Sequence, residues 1–150
     1  MSALFVDTSA LAKRYVNEVG SAWVKTVTPP ASGNVVIISN VTTVELSSLL
    51  ARRVREGTLT RSSAVRLRNI FLWQVEREYV VVAFDNDVQG RARTFVDRHP
   101  LRALDAIQLA AAQRVEAMFG APILFTSSDR NLLAAANAEG FTTDNPLSHP

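Results

Sequence analysis

Residues 3–12 read ALFVDTSALA, an apolar strand that ends on Asp7 and passes at once into a helical pattern. Further apolar runs recur along the chain with helical patterns between them. Short buried strands that alternate with helices favour a parallel sheet covered on both faces. The runs lie at Leu4–Val6, Val35–Ile38, Val80–Phe84 and Ile123–Phe125, with a weaker one at 141–143. The sequence therefore predicts a three-layer α/β/α fold with a central, mostly parallel sheet of four to five strands.

The helical segments are bounded by residues that start or stop helices. Pro29 and Pro30 end one segment, and Gly57 and Thr60 separate two long ones. We expect helices after Ser9 and over about residues 22–28, 44–56, 62–78, 86–99, 102–119 and 129–139. No linker or repeat divides the 150 residues, so a single domain over 1–150 is expected, with 146–150 as a loosely held tail.

The composition is that of a globular protein, with 47% hydrophobic and 20% charged residues. The absence of cysteine excludes disulfides, thiolate catalysis and cysteine zinc sites. The first residues lack the basic segment and long apolar core of a signal peptide, and no stretch approaches the ~20 apolar residues of a transmembrane helix. We therefore expect a cytoplasmic protein with no membrane partner.

Four carboxylates lie where helices are predicted to begin: Asp7, Glu45, Asp105 and Asp129. Taken singly, each fits a helix cap or the helix dipole, and Glu45 fits a capping box with Thr42. Ligands of parallel sheets bind beyond the carboxyl ends of the strands, where these acids are expected to meet. Like charges at such close range need a compensating cation. The four are therefore predicted to be both catalytic residues and metal ligands.

The chemistry of this set favours Mg²⁺ or Mn²⁺, because carboxylates and water suit hard ions and the set holds no histidine. Neighbouring hydroxyls are predicted to hydrogen-bond the carboxylates or their bound water from a second layer. These hydroxyls belong to Thr8, Ser9, Thr126, Ser127 and Ser128. Such a site suits phosphodiester hydrolysis, in which Glu45 or Asp129 is the candidate to orient the attacking water.

Other classes of site find less support. His99 stands before a proline at a helix end and no Gly-x-Ser-x-Gly elbow is present, which disfavours a serine triad. A haloacid-dehalogenase-type phosphatase needs a second Asp where Ser9 stands, and a receiver domain needs a lysine after a late strand. Arginine supplies 14 of the 16 cationic residues and is concentrated in 52–68 and 91–102. These arginines either solvate helix faces or bind a nucleic acid.

Residues 6–15 (VDTSALAKRY) resemble the opening motif of PIN-domain proteins, especially VapC-type toxins. Residues 101–112 (LRALDAIQLAAA) are similar to the third-acid helix of that family, and 125–132 (FTSSDRNL) to its fourth-acid motif. Glu45 falls where the family places its second acid, and Ser127 stands where the family commonly has Thr or Ser. The resemblance covers nearly the whole chain.

The resemblance implies a PIN fold and an Mg²⁺- or Mn²⁺-dependent endoribonuclease with Asp7, Glu45, Asp105 and Asp129 as its acidic quartet. It also implies an RNA substrate, a homodimer and a cognate antitoxin that silences the toxin. The two long helices between 44 and 78 carry many apolar residues, which are either all core or partly an exposed groove for the antitoxin or a second subunit. A non-catalytic PIN-like module that binds RNA or protein is the alternative, although such modules typically lose one or more acids.

Overall fold

The computed structural model describes residues 1–150 and contains one sheet of five strands, all parallel. The strands are β1 (Ala3–Val6), β2 (Val35–Ser39), β3 (Tyr79–Val82), β4 (Leu124–Thr126) and β5 (Thr142–Asp144). Their order is β3-β2-β1-β4-β5, so β1 is central and the direction of strand addition reverses beside it. Parallel sheets bind ligands at such a reversal, beyond the carboxyl ends of the strands.

Seven α-helices surround the sheet. They are α1 (Thr8–Leu11), α2 (Ser21–Val27), α3 (Val41–Arg55), α4 (Arg61–Arg77), α5 (Asn86–Arg98), α6 (Ala103–Phe119) and α7 (Arg130–Ala138). Side chains of β1 alternate between two cores, because successive residues of a strand face opposite sides. Phe5 packs with α5, α6 and α7, whereas Leu4 and Val6 pack with α1, α3 and α4. The predicted three-layer fold is confirmed, and no helix has the length and apolarity to span a membrane.

Helix α3 begins earlier than predicted, at Val41, and this changes the role of Glu45. The N-cap residue Asn40 makes no side-chain capping bond. Thr42 is fully buried and its hydroxyl contacts Gln108 instead of the start of the helix. The capping box of Thr42 and Glu45 is therefore wrong, because Glu45 lies in the second turn of α3 and points its carboxylate at other partners.

The first helix is short and begins at Thr8. Helix α1 ends at Leu11, and the chain continues as one 3-10 turn, Ala12–Arg14. The next residue, Tyr15, places its hydroxyl 2.5 Å from Gln74 Oε1 and 2.6 Å from the hydroxyl of Tyr79. These bonds tie the end of this segment to α4 and β3.

The apolar residues of the two long helices divide between core and surface. Leu46, Leu50 and Phe71 are buried, with at most 2% of each residue exposed. Ile70 and Trp73 are 43% and 53% exposed. Helix α4 therefore carries an exposed apolar patch in addition to its core face.

The C-terminal residues 146–150, expected to form a loose tail, are held against α2. Pro146 is buried, and its carbonyl oxygen lies so close to Gly20 that a Cβ there would approach it to 2.6 Å. The imidazole of His149 stacks on Trp23 at 4.4 Å, and its Nε2 lies 2.8 Å from Asp144 Oδ1. The aromatic stack and this polar contact supply the anchoring that the sequence pattern did not reveal.

Candidate active site

The carboxyl ends of β1 and β4 open into a cavity of about 770 Å³ bounded by α3 and α6. Asp7 follows β1, Asp129 follows β4, Glu45 belongs to α3 and Asp105 to the first turn of α6. The side chains that line the cavity include these four carboxylates together with Arg52, Arg102 and Gln108. The fold thus brings acids from four distant segments of the chain to one surface.

Asp7 is the most deeply placed of these acids and only 5% of it is exposed. Its Oδ1 accepts hydrogen bonds from Ser9 Oγ at 2.8 Å and from the backbone nitrogen of Ala10 at 3.2 Å, so it also caps α1. Burial, reinforced by the charge of Glu45, raises the pKa of Asp7 to about 7, although these hydrogen bonds act against the rise. Without a cation, this carboxyl group is therefore only partly ionised at neutral pH.

Glu45 is held by a buried polar cluster beside the cavity. Its Oε1 accepts hydrogen bonds from Thr8 Oγ1 at 2.9 Å and from Gln108 Nε2 at 2.8 Å. Gln108 is 2% exposed, and its Nε2 also lies 2.9 Å from Thr42 Oγ1. Because an ionised carboxylate can only accept, the amide nitrogen of Gln108 must face Glu45. The cluster links α1, α3 and α6, and it fixes Glu45 relative to Asp105 on α6.

Asp105 and Asp129 lie on the opposite side of the cavity from α3. Asp129 caps α7, since its Oδ1 accepts hydrogen bonds from the backbone nitrogens of Asn131 at 2.8 Å and Leu132 at 3.1 Å. Burial raises the pKa of Asp105, and the negative charges of Asp129 and Glu45 add to that effect. A backbone hydrogen bond at Arg102 and the positive charge of its guanidinium group oppose this rise. The negative charges of Asp129 and Glu45 therefore act on Asp105 across the cavity.

Two serines connect the loops that carry Asp7 and Asp129. Ser9 Oγ donates to Asp7 and accepts a hydrogen bond from the backbone nitrogen of Ser128 at 3.0 Å. Ser127 is fully buried, and its Oγ accepts a hydrogen bond from the backbone nitrogen of Asp129 at 3.0 Å. These hydroxyls hold the two strand-end loops together, so the spacing of the two acids depends on them.

The donor chemistry of the cavity fits a hard divalent cation. It offers four carboxylates and no histidine or cysteine, and oxygen donors of this kind suit Mg²⁺ and Mn²⁺. The raised pKa values of Asp7 and Asp105 come first from burial and then from neighbouring acids, and a bound cation would oppose both effects. In this conformation no three of the acidic side chains converge closely enough to form a metal-binding group. The side chains must therefore close in if an ion is to contact several of them.

Gln108 is the residue of this site that sequence reasoning did not identify. It follows Asp105 by three positions, which places the two side chains on one face of α6. It is also the one polar residue in the apolar run 106–112, AIQLAAA. A buried polar side chain one turn after a candidate ligand is the signal that could have found it.

No curated protein matches this sequence. Among solved structures, VapC20 of Mycobacterium tuberculosis, described as a sarcin-ricin loop cleaving toxin, matches with a TM-score of 0.64 at 25% identity, over 93% of this chain and 96% of that one. A Pyrobaculum aerophilum protein matches with a TM-score of 0.64 at 21% identity, over 99% of this chain and 85% of that one. VapBC2 of Rickettsia felis, solved bound to a promoter DNA fragment, matches with a TM-score of 0.62 at 13% identity, over 95% of this chain and 98% of that one.

The two matches at lower identity are similarities of fold alone. The family model of the PIN domain, in contrast, matches the sequence itself over residues 4–138. That span contains all but the first residue of β1 and all four carboxylates of the cavity. This chain belongs to the PIN domain family.

Proposed function

We propose that this protein is an Mg²⁺- or Mn²⁺-dependent endoribonuclease that acts in the cytoplasm as the toxin of a toxin–antitoxin pair. The observation that carries the proposal is the common cavity of Asp7, Glu45, Asp105 and Asp129. Structural capping alone does not require acids from four separate segments to share a cavity, because their repulsion destabilises the ionised forms. Membership of the PIN domain family and the similarity to VapC20 support the same conclusion.

The four carboxylates would hold the metal, which when bound acts as a Lewis acid on the scissile phosphate and lowers the pKa of a coordinated water. Glu45 and Asp129 each use one oxygen for the hydrogen bonds that fix their position. The second oxygen of each is left to accept a hydrogen bond from the attacking water or to take its proton. Asp7 is held more deeply, so its role is as a metal ligand rather than as a base exposed to solvent.

The two arginines of the cavity supply positive charge for the substrate. Arg52 lies on α3, two turns beyond Glu45, and Arg102 is the N-cap residue of α6. The only ion pair of Arg52 is a loose one, at 3.9 Å from Glu56. A guanidinium group can donate two parallel hydrogen bonds to one phosphate. These residues would therefore position the RNA backbone against the carboxylates.

We further propose that a small antitoxin protein and a second copy of the chain cover parts of the surface. The exposed Ile70 and Trp73 on α4 form an apolar patch that an isolated chain leaves in water. The similarity to VapC20, a protein described as a toxin, supports a silencing partner. Purification of the chain expressed with its neighbouring genes should recover a small companion protein, and mass measurement in solution should give a dimer of the chain.

The test of the activity is cleavage of total cellular RNA and of a sarcin–ricin-loop oligonucleotide by the purified full chain. Reactions contain Mg²⁺, Mn²⁺ or EDTA, and Asp105→Asn is compared with Asp97→Asn, an exposed acid on α5 outside the cavity. We expect discrete fragments that need metal, that disappear in Asp105→Asn and that persist in Asp97→Asn. A folded, partner-free protein that yields no metal-dependent fragments would instead be a non-catalytic binding module.

A further inference from the structure

A second groove lies between α3 and α4 and has a volume of about 380 Å³. Three arginines line it: Arg55 near the end of α3, and Arg61 and Arg68 on α4. Small side chains, Ala51 and Ala64, also line the groove. The groove is therefore a basic channel with space between its walls, separate from the carboxylate cavity.

The positive charge of this groove is not balanced by the protein. None of the three arginines takes part in an ion pair with an acidic side chain. Residues 51–72 contain six arginines and a single acid, Glu56. On the other side of the sheet, by contrast, Arg91 pairs with Asp87 at 2.9 Å. Like charges gathered in one groove without counter-charges favour the binding of an anion.

The groove adjoins the carboxylate cavity along α3. Arg52 lines the cavity and Arg55 lines the groove. Residues three apart on a helix are neighbours, with Cβ atoms about 5–6 Å apart, so Arg52 and Arg55 extend from adjacent positions of one helix. Arg61 and Arg68 extend the same basic surface by about 10 Å along α4, at ~1.5 Å per residue. A strand that leaves the cavity on the α3 side meets these guanidinium groups in succession.

We propose that this groove binds the phosphodiester backbone of the RNA strand next to the site of cleavage. The inference rests on the proposed function, because the cavity defines where the strand is cut. An acidic segment of a protein partner would satisfy the same charges. The position of Arg55 beside Arg52 favours RNA, since a strand that is cut in the cavity can leave it over this adjoining basic surface.

The test measures the salt dependence of binding to a fluorescent 12-nucleotide single-stranded RNA by anisotropy, in the full chain carrying Asp105→Asn to prevent cleavage. The groove variant is Arg55→Gln with Arg61→Gln and Arg68→Gln. Its charge-matched control is Lys25→Gln with Arg66→Gln and Arg93→Gln, three exposed cations without ion pairs that line neither the groove nor the cavity. Circular dichroism checks the fold of both.

Each phosphate contact contributes about 0.7 to the slope of log affinity against log salt for a single strand, so losing three lowers the slope by about 2. The corresponding loss of affinity is roughly 100-fold at 0.1 M salt. The control should lose far less. If the triple variant is poorly folded, Arg68→Gln alone should still lower the slope by about 0.7. An unchanged slope, or equal losses in groove and control variants, would overturn the proposal.

The outcome also separates this proposal from the proposed function. If the wild type cleaves RNA with metal and the groove variant binds RNA normally, only the groove assignment fails. If RNA binding depends on the groove but no metal-dependent cleavage occurs, the nuclease assignment fails and the binding site stands. A decaglutamate peptide tests for a protein partner. If the groove variant loses affinity for this peptide but binds RNA as the wild type does, the surface belongs to a protein partner instead.

Discussion

Replacing Asp7 by Asn should stabilise the metal-free protein at alkaline pH, although it removes a residue that we propose for catalysis. Burial raises the pKa of Asp7 from 3.8 to about 7. One pKa unit corresponds to ~1.36 kcal/mol, so ionising this group in the folded state costs about 4 kcal/mol relative to the unfolded chain. Asn is similar in shape, and its Oδ1 can keep the hydrogen bonds from Ser9 and Ala10.

The direction of the pH dependence follows from the two pKa values. Below the unfolded value of 3.8 the group is protonated in both states and contributes no penalty. Between 3.8 and about 7 the unfolded chain releases its proton first, so the wild type loses stability as the pH rises. Above about 7 both states are ionised and the full penalty applies. The Asn variant carries no such penalty at any pH.

Urea denaturation in EDTA at pH 5 and pH 8 measures this effect. At each pH, the free energy of unfolding of the wild type is subtracted from that of Asp7→Asn. The advantage of Asp7→Asn over the wild type should grow by about 2–3 kcal/mol between the two pH values. Asp97→Asn, which changes an exposed acid, should show no such growth. Adding Mg²⁺ should raise the stability of the wild type more than that of Asp7→Asn, because a ligand stabilises only the state that binds it. An advantage that is the same at both pH values would refute the reasoning.

Three further substitutions test the supports of the site and of the tail. Gln108→Leu should lower the rate of RNA cleavage by roughly 10- to 100-fold, because Glu45 loses its amide donor. Measurement of kcat tests the loss of activity, and circular dichroism checks that the protein stays folded. Ser127→Ala should destabilise the protein by about 1–2 kcal/mol through the lost bond to Asp129, whereas Ser128→Ala should change little because Ser128 Oγ has no partner; thermal unfolding compares them. Gly20→Ala should be more destabilising than Gly33→Ala. Both glycines have positive φ, but only a Cβ at Gly20 meets Pro146, at 2.6 Å from its carbonyl oxygen. Equal losses of stability would mean that the tail moves away from α2 without a cost in free energy.

The parts of the fold that local pattern determines were predictable from the sequence. The stretch around β1 is a continuous apolar run that ends on an acid, and the structure has both its strand and the helix that follows. The start of α3 was not predictable in this way. Thr42 resembles a cap in sequence, but burial against Gln108 from a distant helix decides its position. A tertiary contact over 66 positions leaves no local signal.

The candidate site was predictable for its acids and not for the residues that hold them. A carboxylate after a strand is visible in the sequence, because parallel strands end at a common edge. The arginine groove was visible only as a dense group of charges. Which arginines lack acidic partners depends on tertiary contacts, as Arg53 shows by pairing with Glu18 from a distant loop at 3.1 Å.

Helix capping and metal binding are compatible roles for the acids that end β1 and β4. In Asp7 and Asp129 the Oδ1 atom accepts the backbone hydrogen bonds that start a helix. The bonds use one oxygen and orient the carboxylate, while Oδ2 makes no hydrogen bond and stays available to a ligand. The positive ends of the helix dipoles also offset part of the repulsion among the acids. A cap of this kind therefore fixes the orientation of each carboxylate before any cation binds, and a cation that enters the cavity would complete the ionisation of Asp7.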